Sequence, residues 1–284
     1  MTKLVKPVLG RDYTVLDNGA IKVGRVFPNL MAPWSKERIP DYLSLVDHSL
    51  ALGKKKYEKR LDAAEQEFNR LVRETITPQK RTVIVVLQGR DGAGKTGARK
   101  VIENALDNDA KIFLAICIGP PSDEEKAHPY LWRFFKYDRM PEFGQVRVFD
   151  RSWFERILVE PIMGYCTAEE AHASYAQLRT FEWMLEEQRA IVVKFWMDIT
   201  KDEQKSRFKA RKEEKPWKLS DSDAIAREHW DDYTVFANEM FYRTGTDFAP
   251  WFILASEDKL FSRVVMLETI NSVIRESCKK KRIK

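Results

Sequence analysis

Residues 88 to 100 read QGRDGAGKTGARK, and Gly89, Gly94, Lys95 and Thr96 fill every fixed position of G-x-x-x-x-G-K-[ST]. The chemistry of that spacing is phosphate binding. Glycines let the backbone curl so that successive N–H groups face anionic oxygens. A helix starting at the lysine turns its positive end toward the same anion. Lys95 adds a point charge, and the Thr96 hydroxyl can hold Mg²⁺. The candidate phosphate-binding stretch is therefore Gly89, Arg90, Gly92, Ala93, Gly94, Lys95, Thr96 and Gly97. Asp91 stands inside it, where an unpaired carboxylate would repel phosphate. It fits a metal-holding role or one orienting an attacking phosphate, with a solvated turn residue as the plainer reading.

A second acid closes an apolar run. Val146, Val148 and Phe149 lead into Asp150, followed by Arg151 and Ser152. An acid at the end of a strand beside a phosphate loop is the pattern of a Mg²⁺-associated carboxylate, though the same residue could cap a helix. Arg151 is placed to meet phosphate oxygens bidentately. Further along, residues 201 to 218, KDEQKSRFKARKEEKPWK, hold eight basic and four acidic residues. Arg207 and Arg211 are four apart and share a helix face there, as a lid folding over phosphates would require. A solvated helix laced with ion pairs is the alternative. Trp217 interrupts the charge as an anchor, and Arg133, Lys136 and Arg139 add basic residues ahead of Val146. The histidines, His48, His128, His172 and His229, show no metal-binding spacing, and no G-x-S-x-G is present.

The elements that must position these groups are legible as alternation. Short apolar runs at 83–87, 112–118, 146–149, 191–197 and 252–255 read as buried strands. Helical segments lie between them, three opened by capping boxes: Ser122 with Glu125, Thr167 with Glu170, and Thr200 with Glu203. The fold class is α/β, a three-layer sandwich with a mostly parallel five-stranded sheet. Before it, Tyr57, Leu61, Ala64, Phe68 and Leu71 recur at helical steps within a helical run from Asp41 to about Thr77, bent or split near 53–60 and ended by Pro78. Residues 1–40, with Pro7, Gly10, Gly19, Gly24, Pro28, Pro33 and Pro40, read as an irregular arm. Residues 41–278 read as one domain with a helical lid at about 200–220, and 279–284 as a basic tail.

Composition excludes several classes. The 284 residues are 44% hydrophobic, 32% charged and 12% aromatic, which excludes a disordered chain. No apolar run reaches the 18 residues of a membrane span. Net charge is +6. Cys117, Cys166 and Cys278 are odd in number and widely spaced, which argues for a reducing compartment. The first 13 residues lack the apolar core of a signal peptide, so the expected location is cytoplasmic.

Taken together, LQGRDGAGKTG (87–97), FDRSWFER (149–156), PIMGYCT (161–167), FEWML (181–185), KFWMDIT with RFKAR, PWKLS (216–220), RTGTDFAPW (243–251) and EDK (257–259) resemble the polyphosphate kinase type 2 family. The resemblance runs from about residue 40 to 277. It implies a P-loop kinase fold like that of thymidylate kinases, with a mobile lid. It also implies reversible, Mg²⁺-dependent movement of a terminal phosphoryl group between inorganic polyphosphate and a nucleoside mono- or diphosphate. The family's phosphate-loop Asp and Lys fall on Asp91 and Lys95, its second-motif Asp and Arg on Asp150 and Arg151, and its lid arginines on Arg207 and Arg211. The implied metal-associated set is Asp91, Thr96 and Asp150. Many members read DRSWYNR, whereas Phe154 and Glu155 stand here in place of Tyr and Asn. ERILV (155–159) is similar to the branch that accepts monophosphates and DRSW to the diphosphate-preferring one, so both acceptors stay open. The resemblance points to a homo-oligomer without nucleic-acid or membrane partners. The rival readings are an ATP-dependent nucleoside or nucleotide kinase on the same fold, and a polyanion-binding protein without turnover. Asp91 and Asp150 speak against the second, because acids in an anion site make sense mainly with a metal.

Overall fold

The computed structural model describes residues 4–31, 38–136, 139–214, 225 and 227–279. Pro33, the 215–220 part of the expected lid with Trp217, and residues 280–284 of the basic tail lie outside them. In chain order the described strands are β1 (Leu4–Val5), β2 (Thr14–Val15), β3 (Ile21–Val23), β4 (Ile39–Pro40), β5 (Thr82–Gly89), β6 (Phe113–Cys117), β7 (Val146–Asp150), β8 (Ala190–Asp198) and β9 (Trp251–Ala255). The described α-helices are α1 (Lys54–Leu71), α2 (Lys95–Ala105), α3 (Asp123–Lys126), α4 (Glu155–Leu158), α5 (Ala168–Glu187), α6 (Lys201–Glu214), α7 (Trp230–Thr244) and α8 (Lys259–Lys279).

Strands β6, β7, β5, β8 and β9 are mutually parallel, as the five apolar runs predict. The sheet nevertheless has seven strands, in the order β2-β3-β9-β8-β5-β7-β6. The extra two come from the arm: β3 pairs antiparallel with β9, and β2 with β3. These strands are two and three residues long, too short for a period-2 pattern to show among glycines and prolines. A separate two-stranded parallel sheet joins β1 to β4. The helical run expected from Asp41 begins only at Lys54, after Gly53; Leu43–Leu45 makes a single 3₁₀ turn before it.

Alternation along β5 divides the core. Val83, Val85 and Leu87 pack on one side with Phe68 of α1, Ala98 and Ile102 of α2 and Val265 of α8. Ile84 and Val86 pack on the other with Trp153, Phe154, Leu178 of α5 and Phe241 of α7. Both faces are covered, which is why the central strands read as continuous apolar runs. Because β5 sits mid-sheet, with β7 and β6 on one side and β8 and β9 on the other, a crevice opens at its C-terminal end.

One ion pair is sealed in the second layer. Lys194 of β8 and Glu182 of α5 are fully buried, with Nζ 2.6 Å from Oε2. Lys194 also donates to the Thr244 carbonyl (2.7 Å), and Trp153 Nε1 donates to Glu182 (3.1 Å). The pair therefore fixes the segment that follows Asp150. Lys194→Met would leave Glu182 charged or forced to bind a proton in an apolar site. The expected loss is about 3–5 kcal/mol in chemical denaturation, and a loss below about 1 kcal/mol would refute the anchoring role.

Candidate active site

The phosphate loop links β5 to α2. Gly89 (φ 145°) passes so close to the Met197 backbone of β8 that a Cβ would collide with it. Gly94 caps α2 in the left-handed region (φ 104°), which glycine adopts without strain. The N–H groups of Gly92, Gly94, Lys95 and Thr96 have no acceptor among the described residues. All four residues line an open cavity of 830 Å³ at the C-terminal ends of β5 and β7. Seven basic residues line it, Lys95, Lys100, Arg151, Arg207, Arg211, Lys259 and Arg263, against the acids Asp91, Asp150 and Glu214. Burial, and then Arg207 and the other nearby arginines, hold the Lys259 ammonium below the usual lysine range. Such crowding of like charge is what an anion relieves.

Lys95 folds back onto the loop, donating to the carbonyls of Gly89 (2.8 Å) and Arg90 (3.1 Å). Its Nζ is 3.7 Å from Asp91 Oδ1, which also accepts from Arg151 Nη2 at 3.2 Å. Asp91 is thus neutralised from two sides. The parallel register sets Asp150 opposite Leu87, so its carboxylate stands beside the loop at the cavity floor. No ion-pair or hydrogen-bond partner engages that carboxylate among the described residues. Arg151 takes a left-handed conformation (φ 64°), and its N–H donates to the Leu87 carbonyl (3.1 Å). Glu155, and after it Asp91, raise its already high pKa.

Not every expected ligand faces this cavity. The N–H of Arg90 donates to the Met197 carbonyl, and its guanidinium is buried behind the loop. There it reaches Asp198, the Trp230 carbonyl and Thr234 Oγ1, and stacks on Trp230 with Cζ 3.8 Å from the ring centroid. The N–H of Ala93 closes a turn onto Arg90, and that of Gly97 onto Gly94, although Gly97 lines the cavity. Gly97 has another use: a Cβ there would press on the Arg263 guanidinium.

Residues 201–214 of the expected lid form α6, which lies on the loop. Gln204 donates to the Asp91 carbonyl (2.9 Å), and Phe208 packs over Gly92. Arg207 lines the cavity, but it also donates to Glu203 and to the carbonyls of Gly92, Ser256 and Glu257, at 2.6–2.9 Å. It clamps α6 to the loop. Arg211, one turn on, lines the cavity and stacks on Phe208. The capping box expected at Thr200 is half made. Glu203 N–H donates to Thr200 Oγ1, but the Thr200 N–H goes to Glu257 instead. His48 bridges Glu257 and Asp198 behind this turn, and Asp198 first, then Glu257, raises its pKa. The basic residues ahead of β7 do not line this cavity: Arg133, Lys136 and Arg139 are engaged by Glu125, with Glu160 and Glu124 completing the network.

A smaller cavity meets the large one at Asp91, Lys95 and Arg151, and adds Glu155, Gln88, Trp196 and Tyr233. Burial pushes the Glu155 carboxyl up to about 7, against the attraction of Arg151 and Lys95. Between about pH 4.5 and 7 the folded protein therefore binds more protons here than the unfolded chain, and this group's contribution to stability falls as pH rises through that window. Glu155→Gln should remove that loss, so its Tm relative to the native chain should rise from about pH 5 to about pH 8. A pH-independent difference would place the titration elsewhere.

The family model for Polyphosphate kinase 2 (PPK2) matches residues 51–282. The chain belongs to this family. Among PPK2 relatives, a polyphosphate:AMP phosphotransferase of Pseudomonas aeruginosa is 37% identical over 84% of this chain and 47% of its own length. An ADP-polyphosphate phosphotransferase of Rhizobium meliloti is 36% identical over 76% of this chain and 70% of its own. The crystal structure of a polyphosphate kinase 2 from Arthrobacter aurescens superimposes with a TM-score of 0.76 at 28% identity, over 92% of this chain and 96% of that one. The chain spans just under half (47–48%) of the length of three polyphosphate:AMP phosphotransferases that it matches. The fold of this PPK2 member also brings in residues to which the motifs assigned no role: Lys100, Gln204, Tyr233, Arg263 and the lysine of the EDK motif, Lys259. Only the Lys259–Arg263 pair, four apart at the start of α8, had a spacing that could have marked it. Among the described residues no helix is long and apolar enough to cross a membrane.

Proposed function

We propose that this chain transfers a terminal phosphoryl group between inorganic polyphosphate and a nucleoside mono- or diphosphate, reversibly and with Mg²⁺. The observation that carries the reading is the cavity on the phosphate loop, lined by seven basic residues together with Asp91, Asp150 and Glu214. A triphosphate needs only a few cations, whereas a polymer can engage many along its length. The names of the AMP- and ADP-using relatives supply the two acceptor classes.

In this reading the polyphosphate end lies on the N–H groups of Gly92, Gly94, Lys95 and Thr96. Lys95 leaves the Gly89 and Arg90 carbonyls for phosphoryl oxygens. Arg207 holds α6 against the loop, and Arg211 faces the chain. The acceptor's terminal phosphate lies in the same large cavity beside Arg151, on the side that faces Glu155 and Tyr233. One of its oxygens attacks the end phosphorus, the P–O bond to the rest of the polymer breaks, and a new phosphoanhydride forms. The attacking oxygen is already ionised, so no general base is required. Asp91 keeps Arg151 and Lys95 at the junction of the two cavities.

The residues present fit a Mg²⁺ ion. Asp150 offers an unengaged carboxylate at the cavity floor, with the Thr96 hydroxyl and Asp91 along the same wall. Magnesium prefers such oxygen donors, takes one or two carboxylates plus phosphate oxygens, and keeps water in its remaining positions. When bound it neutralises charge on the transferring phosphate. The deciding experiment incubates the protein with Mg²⁺, polyphosphate and each of AMP, ADP, GMP and GDP, with no ATP supplied as donor. Products one phosphate longer support the proposal. Transfer from ATP alone would make the ATP-dependent kinase correct, and salt-sensitive binding with no transfer from either donor would make it a binding protein.

A further inference from the structure

A second cavity, of 620 Å³, shares no lining residue with the first. It lies at the sheet edge, past the N-terminal end of β9, where Arg25 bridges to Thr246 and β3 pairs Val23 with Trp251. The phosphate-loop cavity opens at the opposite, C-terminal ends of the parallel strands. Apart from Tyr242, every residue lining the second cavity precedes residue 51, where the family match begins.

Its lining is cationic. Lys6, Arg11, Arg25 and Arg38 face it with a single acid, Asp12. That carboxylate is already satisfied, by two N–H donors of Arg11 (3.0 and 2.9 Å) and by the Val8 N–H (2.8 Å). Lys6, Arg25 and Arg38 have no carboxylate partner among the described residues. Arg25 is the best-formed of the three. Its Cζ sits 3.9 Å from the Tyr242 ring centroid and 4.5 Å from that of Phe27. Backbone bonds to Gly245 (2.9 Å) and Asp247 (3.0 Å) fix it in place. These ring contacts orient the guanidinium, whose terminal donors are offered along its in-plane edge. A cavity that gathers four cations, with its one acid neutralised, fits an anion from outside the chain.

We infer that this cavity binds a multiply charged phosphate anion, either a condensed inorganic phosphate or the phosphate tail of a nucleotide, at a site separate from the phosphate loop. Arginine forks match the paired oxygens of phosphate, and the volume accommodates several linked phosphates. The inference does not depend on turnover, because it concerns binding at residues outside the transfer machinery.

The test is calorimetric titration of the full chain with tripolyphosphate, and separately with ADP, without Mg²⁺ and at two salt concentrations. Tripolyphosphate should bind the native chain at two sites. In the Lys6→Gln/Arg38→Gln double variant, one site should weaken about tenfold or more, with a salt dependence shallower by about one for each phosphate charge no longer neutralised. Phosphotransfer at saturating substrates should be unchanged. Arg25→Gln should act on the same site; since its ring contacts could matter to packing, the double variant carries the test alone. Lys95→Ala should weaken the other site and spare this one. ADP competing for the site that the double variant loses would identify a nucleotide tail, and indifference to ADP would identify condensed phosphate. A single-site isotherm for the native chain, or two sites unaltered in the double variant, would overturn the inference.

Discussion

Lys95→Ala is expected to fold as the native chain does and to transfer phosphoryl groups ~100- to 1000-fold more slowly. The fold should survive because Lys95 donates only to two carbonyls of its own loop. The start of α2 depends on the left-handed Gly94, not on the lysine side chain. The rate should fall because the Lys95 Nζ stands where the two cavities meet, within 3.7 Å of the carboxylate that Arg151 also holds. At that junction it can follow charge as it shifts from the leaving chain to the acceptor, a contribution larger in the transition state than in the bound substrates. Loss of such an interaction lowers kcat and kcat/KM together. Steady-state rates with saturating polyphosphate, beside a thermal melt, test this. A variant with near-native turnover would remove Lys95 from the proposed mechanism.

The parts legible in the sequence were those encoded locally. The loop from Gly89 to Thr96 is contiguous, so one motif carried its glycines, lysine and hydroxyl together. The five parallel strands were legible because burial on both faces leaves an uninterrupted apolar run. Asp150 was legible because it ends such a run, and the β5–β7 register then brings it to the loop. What was hidden depends on partners distant in the chain. Nothing in GRD shows that Arg90 turns away to Trp230, 140 residues on. Arg207 reads as a phosphate ligand by spacing, yet most of its donors meet the carbonyls of Gly92, Ser256 and Glu257. Arg133, Lys136 and Arg139 read as a basic stripe until folding sets Glu125 among them. Charge in a sequence is a sum, whereas charge in a site depends on which carboxylates come within about 4 Å.

Asp150→Asn is expected to fold normally, to transfer phosphate slowly, and to need ~10- to 100-fold more Mg²⁺ for half of its own maximal rate. The substitution keeps the shape and removes the charge. It should disturb little, because no described side chain engages the Asp150 carboxylate and its strand is held by the β5 and β6 ladders. A carboxylate that lines a phosphate cavity and has no protein partner among the described residues is open to a cation. Asp91 supplies the control. Its Oδ1 is held by Arg151 and lies near Lys95, so Asp91→Asn should lower the rate chiefly by releasing those cations. Its Mg²⁺ midpoint should therefore move less than that of Asp150→Asn. The two variants and the native chain are to be titrated with Mg²⁺ at fixed, saturating polyphosphate and nucleotide, with free metal held by a buffer. Equal shifts would make the two acids joint ligands. An unchanged midpoint in Asp150→Asn would exclude it as a metal-holding group and leave its position at the end of β7 as its only contribution.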